Sequence, residues 1–286
     1  MKKILIQLDT DSLPSSFDRV VAVDAGVDEL FSYGGVTPDN VETLVHGAIF
    51  TRKPSDLVNT AIFVGGSNVA AGEALLKAVT KSLFGPFKVS VMMDSNGSNT
   101  TAAATVLAAS RHLDLSKTTA VVLGGTGPVG SRVAQLLLQQ GATVRLASRS
   151  LERSTATCAG LKEIADVSKL SPHESQSDAG LAAACEGVDL VVAAGAAKTR
   201  LINAEQLSKI STLKVAIDLN AVAPAGIEGI EVMDKAREAG QTILYGAVGV
   251  GGTKMKIHYA AVRKLFTSNT LVLDTAAIYD LGASLS

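Results

Sequence analysis

Thr119-Ala120-Val121-Val122-Leu123-Gly124-Gly125-Thr126-Gly127-Pro128-Val129-Gly130 carries a short apolar strand into a G-x-G-x-x-G and on into a helical pattern that reaches Gln140. In that setting each motif glycine has a physical role. Gly125 permits the tight turn, Gly127 lets a pyrophosphate approach the backbone, and Gly130 lets helix and strand pack closely. Pro128 suits a first helical turn, and the helix N-terminus faces the phosphates. Thr126 and Val129 complete the expected phosphate loop. With strand, helix and next strand in register the motif points to a dinucleotide; the competing reading is a glycine-rich turn kept for packing.

The next strand ends at Ser148-Arg149. This is about 20 residues beyond the loop, where an NAD site usually places Asp or Glu against the ribose hydroxyls. No carboxylate stands there. Ser148 can donate a hydrogen bond and Arg149 can grip a phosphate with its planar fork, so NADP is the expected cofactor. Otherwise Arg149 is a solvated surface residue.

Outward from this unit, apolar runs and helix signals alternate along the chain, which implies parallel sheets covered by helices and an α/β fold class. Further strands are expected at 190–193, 215–218 and 242–245, with a weaker one near 164–167. They complete a Rossmann-type doubly wound parallel sheet over residues 114–267. Upstream, strands at 3–8, 60–64 and 87–93 build a second α/β domain over residues 1–113. Its helices are opened by Ser15 with Asp18, by Thr37-Pro38 and by Asn68, and Gly26 can close the first. An Ala-rich helix at 101–111 and a polar connector at 114–118 join the domains. A helix at 251–266 precedes a last one capped by Asp274, through which residues 268–286 return to complete the first domain.

Composition narrows the function. Lys+Arg number 26 against 27 Asp+Glu, a formal net charge of -1, which gives no electrostatic reason for a nucleic-acid or anionic-membrane partner. Small molecules or further copies of the chain are the expected partners. No apolar run approaches the roughly 20 residues of a membrane span. Met1-Lys2-Lys3 is followed only by Ile4-Leu5-Ile6 before Gln7, and Cys158 and Cys185 make no disulfide framework, so a cytoplasmic location is expected.

Ligands of open parallel sheets lie beyond the carboxyl ends of the strands. Ala194-Gly195 follows one strand with small residues that would let a nicotinamide lie close, or forms a plain tight turn. Asp218-Leu219-Asn220-Ala221-Val222 follows another, with an Asx-turn as the alternative for Asn220. Gly246 to Gly252 reads as a flexible loop leading to Lys254 and Lys256 near the start of a helix, where cations are disfavoured unless an anionic or carbonyl-bearing ligand is near; a solvated face is the alternative. In the first domain, Asp94-Ser95-Asn96-Gly97-Ser98-Asn99-Thr100-Thr101 can read the edge of a polar heterocycle, or Ser98 or Asn99 caps a helix. Phe17-Asp18 is a further candidate, with the capping box as its alternative.

Other chemistry is missing. Histidines 46, 112, 173 and 258 have no metal-ligand spacing, and no metal is expected. No tyrosine has a lysine four residues on, and no G-x-S-x-G occurs. A nicotinamide enzyme with no evident acid or base suits a hydride transfer without a coupled proton transfer.

With these residues placed, the chain resembles the bacterial NADP-dependent methylene-tetrahydromethanopterin/methylene-tetrahydrofolate dehydrogenases of one-carbon metabolism. The match runs through Phe17-Asp18, Asp24-Ala25-Gly26, Gly35-Val36-Thr37, Phe63-Val64-Gly65-Gly66, Phe84-Gly85-Pro86-Phe87, the Asp94–Thr101 cluster, the glycine loop, Asp218-Leu219-Asn220-Ala221 and Gly251-Gly252 with Lys254 and Lys256. The resemblance implies a pterin domain before the NADP domain with a cleft between them, and a homo-oligomer, a trimer. It implies oxidation of the methylene pterin to a methenyl cation stabilised by two adjacent nitrogens, as in formaldehyde oxidation. Lys256, Asp18 and Asn96 are then the expected catalytic-site residues, and Phe17, Ser98, Thr100, Thr101 and Lys254 bind the pterin. The Gly-Pro-Val loop matches one branch of the family and Asn220-Ala221-Val222 another, so a tetrahydrofolate-specific enzyme stays open beside a tetrahydromethanopterin enzyme. A dinucleotide-sensing protein without turnover and a shikimate-type dehydrogenase are the other readings.

Overall fold

The computed structural model describes residues 1–285, Glu163 by its backbone alone. The chain runs through β1 (Ile4–Asp9), α1 (Ser16–Asp24), β2 (Glu29–Tyr33), α2 (Val41–Phe50), β3 (Thr60–Gly65), α3 (Val69–Lys81), β4 (Ser90–Met93) and α4 (Ser98–Ser110). Next come β5 (Thr119–Leu123), α5 (Pro128–Gln139), β6 (Thr143–Ser148), α6 (Leu151–Gly160), β7 (Leu170–Glu174), α7 (Asp178–Cys185), β8 (Leu190–Ala193) and α8 (Ala204–Ser208). β9 (Val215–Asp218), β10 (Lys235–Ala239), β11 (Thr242–Tyr245), α9 (Ala247–Lys264), β12 (Val272–Leu273) and α10 (Thr275–Ala283) follow.

Two compact units result: Met1–Thr100 with Met255–Ser286, and Thr101–Lys254. The divisions expected from the sequence were at polar stretches after residues 113 and 267; those between the compact units fall inside α4 and α9, since both helices run from one unit into the other.

The second unit holds a seven-stranded sheet in the order β10-β11-β9-β8-β5-β6-β7, parallel except for β10. The order reverses between β5 and β8, the switch point of a doubly wound sheet, and the glycine loop follows β5 at its carboxyl end. β8 and β9 are buried along their whole length, as strands covered on both faces must be, and so read as unbroken apolar runs. The strand expected near 164–167 is instead β7, at Leu170–Glu174. It is an edge strand of partly exposed residues with Pro172 at its centre, so it lacks the apolar run that betrays an inner strand.

In the first unit five parallel strands lie in the order β12-β4-β3-β1-β2 over a core that includes Leu8, Val45, Ile49, Leu57, Ile62, Val64 and Leu75. Ser15 caps α1 by accepting from the Asp18 N–H at 3.3 Å, and Gly26 leaves the helix in the left-handed region at φ 86. The helix expected from Thr37-Pro38 begins at Val41, because Asn40 turns back to accept from the Thr37 N–H at 2.8 Å. The C-terminal segment does return: β12 pairs with β4, and Thr275 donates to Asn99 at 2.8 Å.

Candidate active site

In the second unit, the left-handed turn after β5 falls on Gly124, at φ 71, one residue ahead of the motif glycine expected to make it. A Cβ on Gly124 would stand 2.7 Å from the Gly195 backbone, so the loops after β5 and β8 pack main chain on main chain. Gly125 is needed for packing: its Cβ would meet the Leu146 side chain at 2.7 Å and the Val122 carbonyl at 2.9 Å. A Cβ on Gly130 would stand 2.7 Å from the Gly124 carbonyl oxygen, so only glycine allows the close helix–strand packing here. At Gly127 a Cβ would find nothing nearer than 3.4 Å. The protein gives no internal reason for glycine at this position, whereas a pyrophosphate approaching the backbone does. Gly127 is also the N-cap of α5 and supplies no capping side chain, which leaves the first-turn N–H groups to a ligand. Thr126, Gly127, Pro128 and Val129 are all at least partly accessible, so the loop fits a dinucleotide phosphate.

Ser148 is buried. It donates to the Ser150 carbonyl at 2.8 Å and accepts from Ser154 Oγ at 3.0 Å and the Ser150 N–H at 3.3 Å, which fills the capacity of one hydroxyl. The phosphate donor expected there therefore shapes the turn instead. Arg149 is exposed, and so is Arg153, one helical turn on. The sequence motif does not mark Arg153; its spacing from Arg149 and the capping Ser150 between them are the signals that point to it.

The Asx-turn alternative describes the loop after β9. Asn220 Oδ1 accepts from the Val222 N–H at 3.1 Å and its amide donates to the Pro224 carbonyl at 3.0 Å. Asp218, 1% exposed, accepts from the N–H groups of Asn220 and Ile227, each at 3.0 Å. Burial pushes its carboxyl above the usual carboxylate range, against the pull of those N–H groups. Asn220 thus holds the loop's shape, and Ala221 and Val222 form its exposed crest.

The flexible loop expected between Gly246 and Gly252 is helix from Ala247 onward. Gly246 and Gly249 lie directly on the backbone of Glu231, Val232 and Asp234, which a side chain would prevent. Lys254 and Lys256 consequently sit beyond the first turn of α9, where the helix dipole has faded, so the dipole reason for a ligand there lapses. Lys254 is partly buried and Lys256 exposed.

In the first unit the polar cluster closes on Asp94. Fully buried, Asp94 accepts from the N–H groups of Asn99 and Thr100 at 2.9 and 3.0 Å and from Thr100 Oγ1 at 2.6 Å. It, and neither Ser98 nor Asn99, caps the start of α4. Ser98, also buried, donates to the Ser95 carbonyl at 2.8 Å. The Asn99 amide donates to the Met93 carbonyl at 2.7 Å. The hydroxyls of Ser98 and Thr100, expected to meet a pterin, are therefore committed inside the loop, while Thr101 is partly exposed. Asn96 is the residue put forward, exposed and left-handed at φ 55, a conformation asparagine tolerates better than most. Its N–H is held by the Gly66 carbonyl at 2.7 Å.

Beside Asp94 lies a residue the sequence does not single out, because the spacing of its histidines speaks only to metal ligation. His258 on α9 is fully buried, stacked on Phe63 with ring centroids 5.9 Å apart, and its Nδ1 is 3.8 Å from Asp94 Oδ2. The half-exposed Phe17 ring stands 6.2 Å away on α1, next to the partly exposed Asp18. Phe17, Asp18 and Asn96 thus belong to one unit and share the neighbourhood of the His258–Asp94 pair. Lys254 lies on the His258 face of α9, four residues apart, and Lys256 on the opposite face. Among the described residues no group of three His, Cys, Asp or Glu is placed to hold a metal ion, and no helix is long and apolar enough to cross a membrane.

Residues 16–96 match a family described as methylene-tetrahydromethanopterin dehydrogenase, N-terminal. The "Bifunctional protein MdtA" of Methylorubrum extorquens is 44% identical over 100% of this chain and 99% of its own. The "NAD(P)-dependent methylenetetrahydromethanopterin dehydrogenase" of the same organism is 32% identical over 95% of each chain. Among solved structures, a quinate dehydrogenase from Corynebacterium glutamicum in complex with NAD superposes at a TM-score of 0.55 with 14% identity over 99% of both chains, a likeness of fold.

Proposed function

The chain belongs to the methylene-tetrahydromethanopterin dehydrogenase family, and from that premise we propose that it reversibly transfers hydride from the methylene carbon of N5,N10-methylene-tetrahydromethanopterin to NADP, giving the methenyl pterin. The observation that carries the reading is 32% identity over 95% of the chain to a relative named as an NAD(P)-dependent methylenetetrahydromethanopterin dehydrogenase, joined to a glycine loop whose Gly127 is left open on the ligand side. The proposed NADP site consists of residues 125–130, Arg149 joined by Arg153, and the loops at Ala194-Gly195 and Asn220. When bound, NADP supplies the hydride acceptor.

The chain's own part is positioning. The α5 N–H groups and the bare Gly127 backbone bind the pyrophosphate, and the two arginines bind the 2′-phosphate. In the first unit Asp18 and Asn96 orient the polar edge of the pterin, with the Phe17 ring against its face; Lys256 takes a substrate carbonyl or other electron-rich group. A cation beside the developing methenyl charge would raise the barrier, so Lys256 acts away from the reacting carbon. The product cation is stabilised by its own two nitrogens and no proton need move. Covalent thiol chemistry is also unsupported, because burial pushes both Cys158 and Cys185 up to about 11.

The two buried free thiols suit the reducing cytoplasm proposed as its location, and the family resemblance supports the proposal of a homo-oligomer, a trimer. Methylene-tetrahydrofolate is the second substrate we propose, on the resemblance read from the sequence. Steady-state turnover of each methylene pterin with NADP and with NAD tests the proposal. Turnover of neither pterin overturns it, and turnover of the folate alone reassigns the substrate.

A further inference from the structure

A side chain in the left-handed region brings its Cβ close to the following carbonyl oxygen, so a protein keeps that backbone only where something else needs it. Among the described residues three besides glycine adopt it: Asn96 at φ 55, Lys198 at φ 63 and Ala236 at φ 54. Asn96 belongs to the polar loop of the first unit, and Ala236 is the extra residue where the register of β10 shifts between Lys235 and Arg237. Neither account covers Lys198. It is exposed, lies outside every strand and helix, and makes no hydrogen bond or ion pair among the described residues that would hold it there.

The loop that carries it, residues 194–201 of the second unit, is rooted at both ends. At its start the Ala194 N–H donates to the Leu123 carbonyl at 2.8 Å, and Gly195 lies against the backbone of Gly124. A Cβ on Gly127 would find the Ala194 carbonyl at 3.6 Å, so this loop begins beside the backbone left open for a pyrophosphate. At its far end Leu201 folds back into the space a Gly195 side chain would need, 2.8 Å from that Cβ, and its N–H donates to the Gly226 carbonyl at 2.8 Å. Residues 196–200 are left as an exposed arch. Arg200 on the arch is paired with Glu228 at 2.6 Å, which makes Lys198 its uncommitted cation.

We propose that Lys198 is a further cofactor-binding residue, its ammonium pairing with the pyrophosphate of the bound dinucleotide. Three residues of chain separate it from Gly195, a span of at most about 10 Å, so it stays near the glycine loop. In the strand order β8-β5-β6, Lys198 follows β8 and Arg149 follows β6, so the two cations flank the glycine loop from opposite sides. The 2′-phosphate lies with Arg149 in the proposed site, which leaves to Lys198 the pyrophosphate that NADP and NAD share. A lysine is a point charge that needs no planar partner, which suits a diphosphate. The strained turn is then kept for the ligand.

This rests on the dinucleotide site proposed above, and calorimetric titration of NADP and of NAD into the full chain, with urea unfolding of the ligand-free protein beside it, separates the two. Lys198→Ala and Lys198→Gly are each expected to raise both dissociation constants about tenfold, leaving the NADP/NAD preference unchanged, and Lys198→Arg to stay within about threefold of the wild type. Relieved of the left-handed strain, Lys198→Gly is also expected to unfold at a urea concentration no lower than the wild type does. A wild type that binds neither dinucleotide overturns both readings. Where the wild type binds, native affinity in Lys198→Ala, or a loss in Lys198→Arg equal to that in Lys198→Ala, overturns the role of Lys198 alone. A loss confined to NADP moves the lysine to the 2′-phosphate and overturns the pyrophosphate contact. A Lys198→Gly protein less stable than the wild type makes the lysine structural and overturns the proposal as well.

Discussion

Replacing Gly127 and Gly130 by alanine, one at a time, separates a glycine kept for a ligand from one kept for packing. At Gly127 the backbone has φ -79 and ψ 169, which any residue adopts, and the new methyl would lie no closer than 3.4 Å to protein atoms. The stability change is expected to stay within about 1 kcal/mol, since poorer N-capping is offset by the reduced freedom of the unfolded chain. The same methyl stands where the pyrophosphate must approach. Losing one charge-assisted hydrogen bond costs about 1.5–3 kcal/mol, so the Kd for NADP should rise ten- to a hundredfold. At Gly130 the methyl is forced to 2.7 Å from the Gly124 carbonyl and 2.8 Å from Gly125 Cα, backbone that cannot swing aside. Overpacking of that kind costs about 1–3 kcal/mol. Calorimetric titration and urea unfolding on both variants read the two effects. If Gly127→Ala binds NADP with native affinity, or loses as much stability as Gly130→Ala, the loop is a packing turn and the dinucleotide assignment of Gly127 falls.

Arg149→Ala should reduce the preference for NADP over NAD by about ten- to a hundredfold in kcat/KM, with Arg153→Ala acting in the same direction, and an unchanged ratio would make both ordinary surface arginines. Single-turnover hydride transfer should show no bell-shaped profile between roughly pH 6 and 9. Lys256→Ala should slow it on the order of a hundredfold through lost alignment; an effect confined to Lys254→Ala would transfer the pterin contact to the His258 face of α9. Because the Asp218 carboxyl lies above its usual range when folded, the folded chain binds that proton more tightly than the unfolded chain does. Its contribution therefore favours folding at acid pH and is lost as pH rises from the usual carboxylate range through the raised value. Asp218→Asn should remove that slope in urea unfolding across a pH series, and an unaltered slope would refute the assignment.

What could be read in advance depended on burial. β8 and β9 are covered on both faces, so their sequences are unbroken apolar runs with turns at each end, and their bounds were legible to the residue. The edge strands β2, β7 and β10 face solvent and lack that run, and only the paired neighbours reveal them. The glycine loop was legible as a motif, but the left-handed turn sits at Gly124 because the close neighbour there is Gly195, from a segment far along the chain. The Asp94 cluster was legible as polar. Which members point inward was not, since Asp94, Ser98, Asn99 and Thr100 are interchangeable as hydrogen-bonding residues until their partners are known. The glycines after β11 looked like a flexible loop and proved to be helix, because glycine there answers to the backbone of Glu231, Val232 and Asp234 lying against it.

The return of the C-terminal segment to the first unit gives the chain an order of assembly. Residues 101–254 are continuous in sequence, whereas the first unit is split by them and lacks β12, α10 and the Thr275 partner of Asn99 until residues beyond Met255 are made. As domains fold from the N-terminal side during synthesis, the inserted unit can complete its sheet on the ribosome while residues 1–100 wait with one edge of β4 bare. If the sites lie as proposed, a nascent chain acquires its nucleotide-binding ability before its pterin-binding ability, and NADP in the surrounding solution acts as a folding ligand for a protein only partly translated.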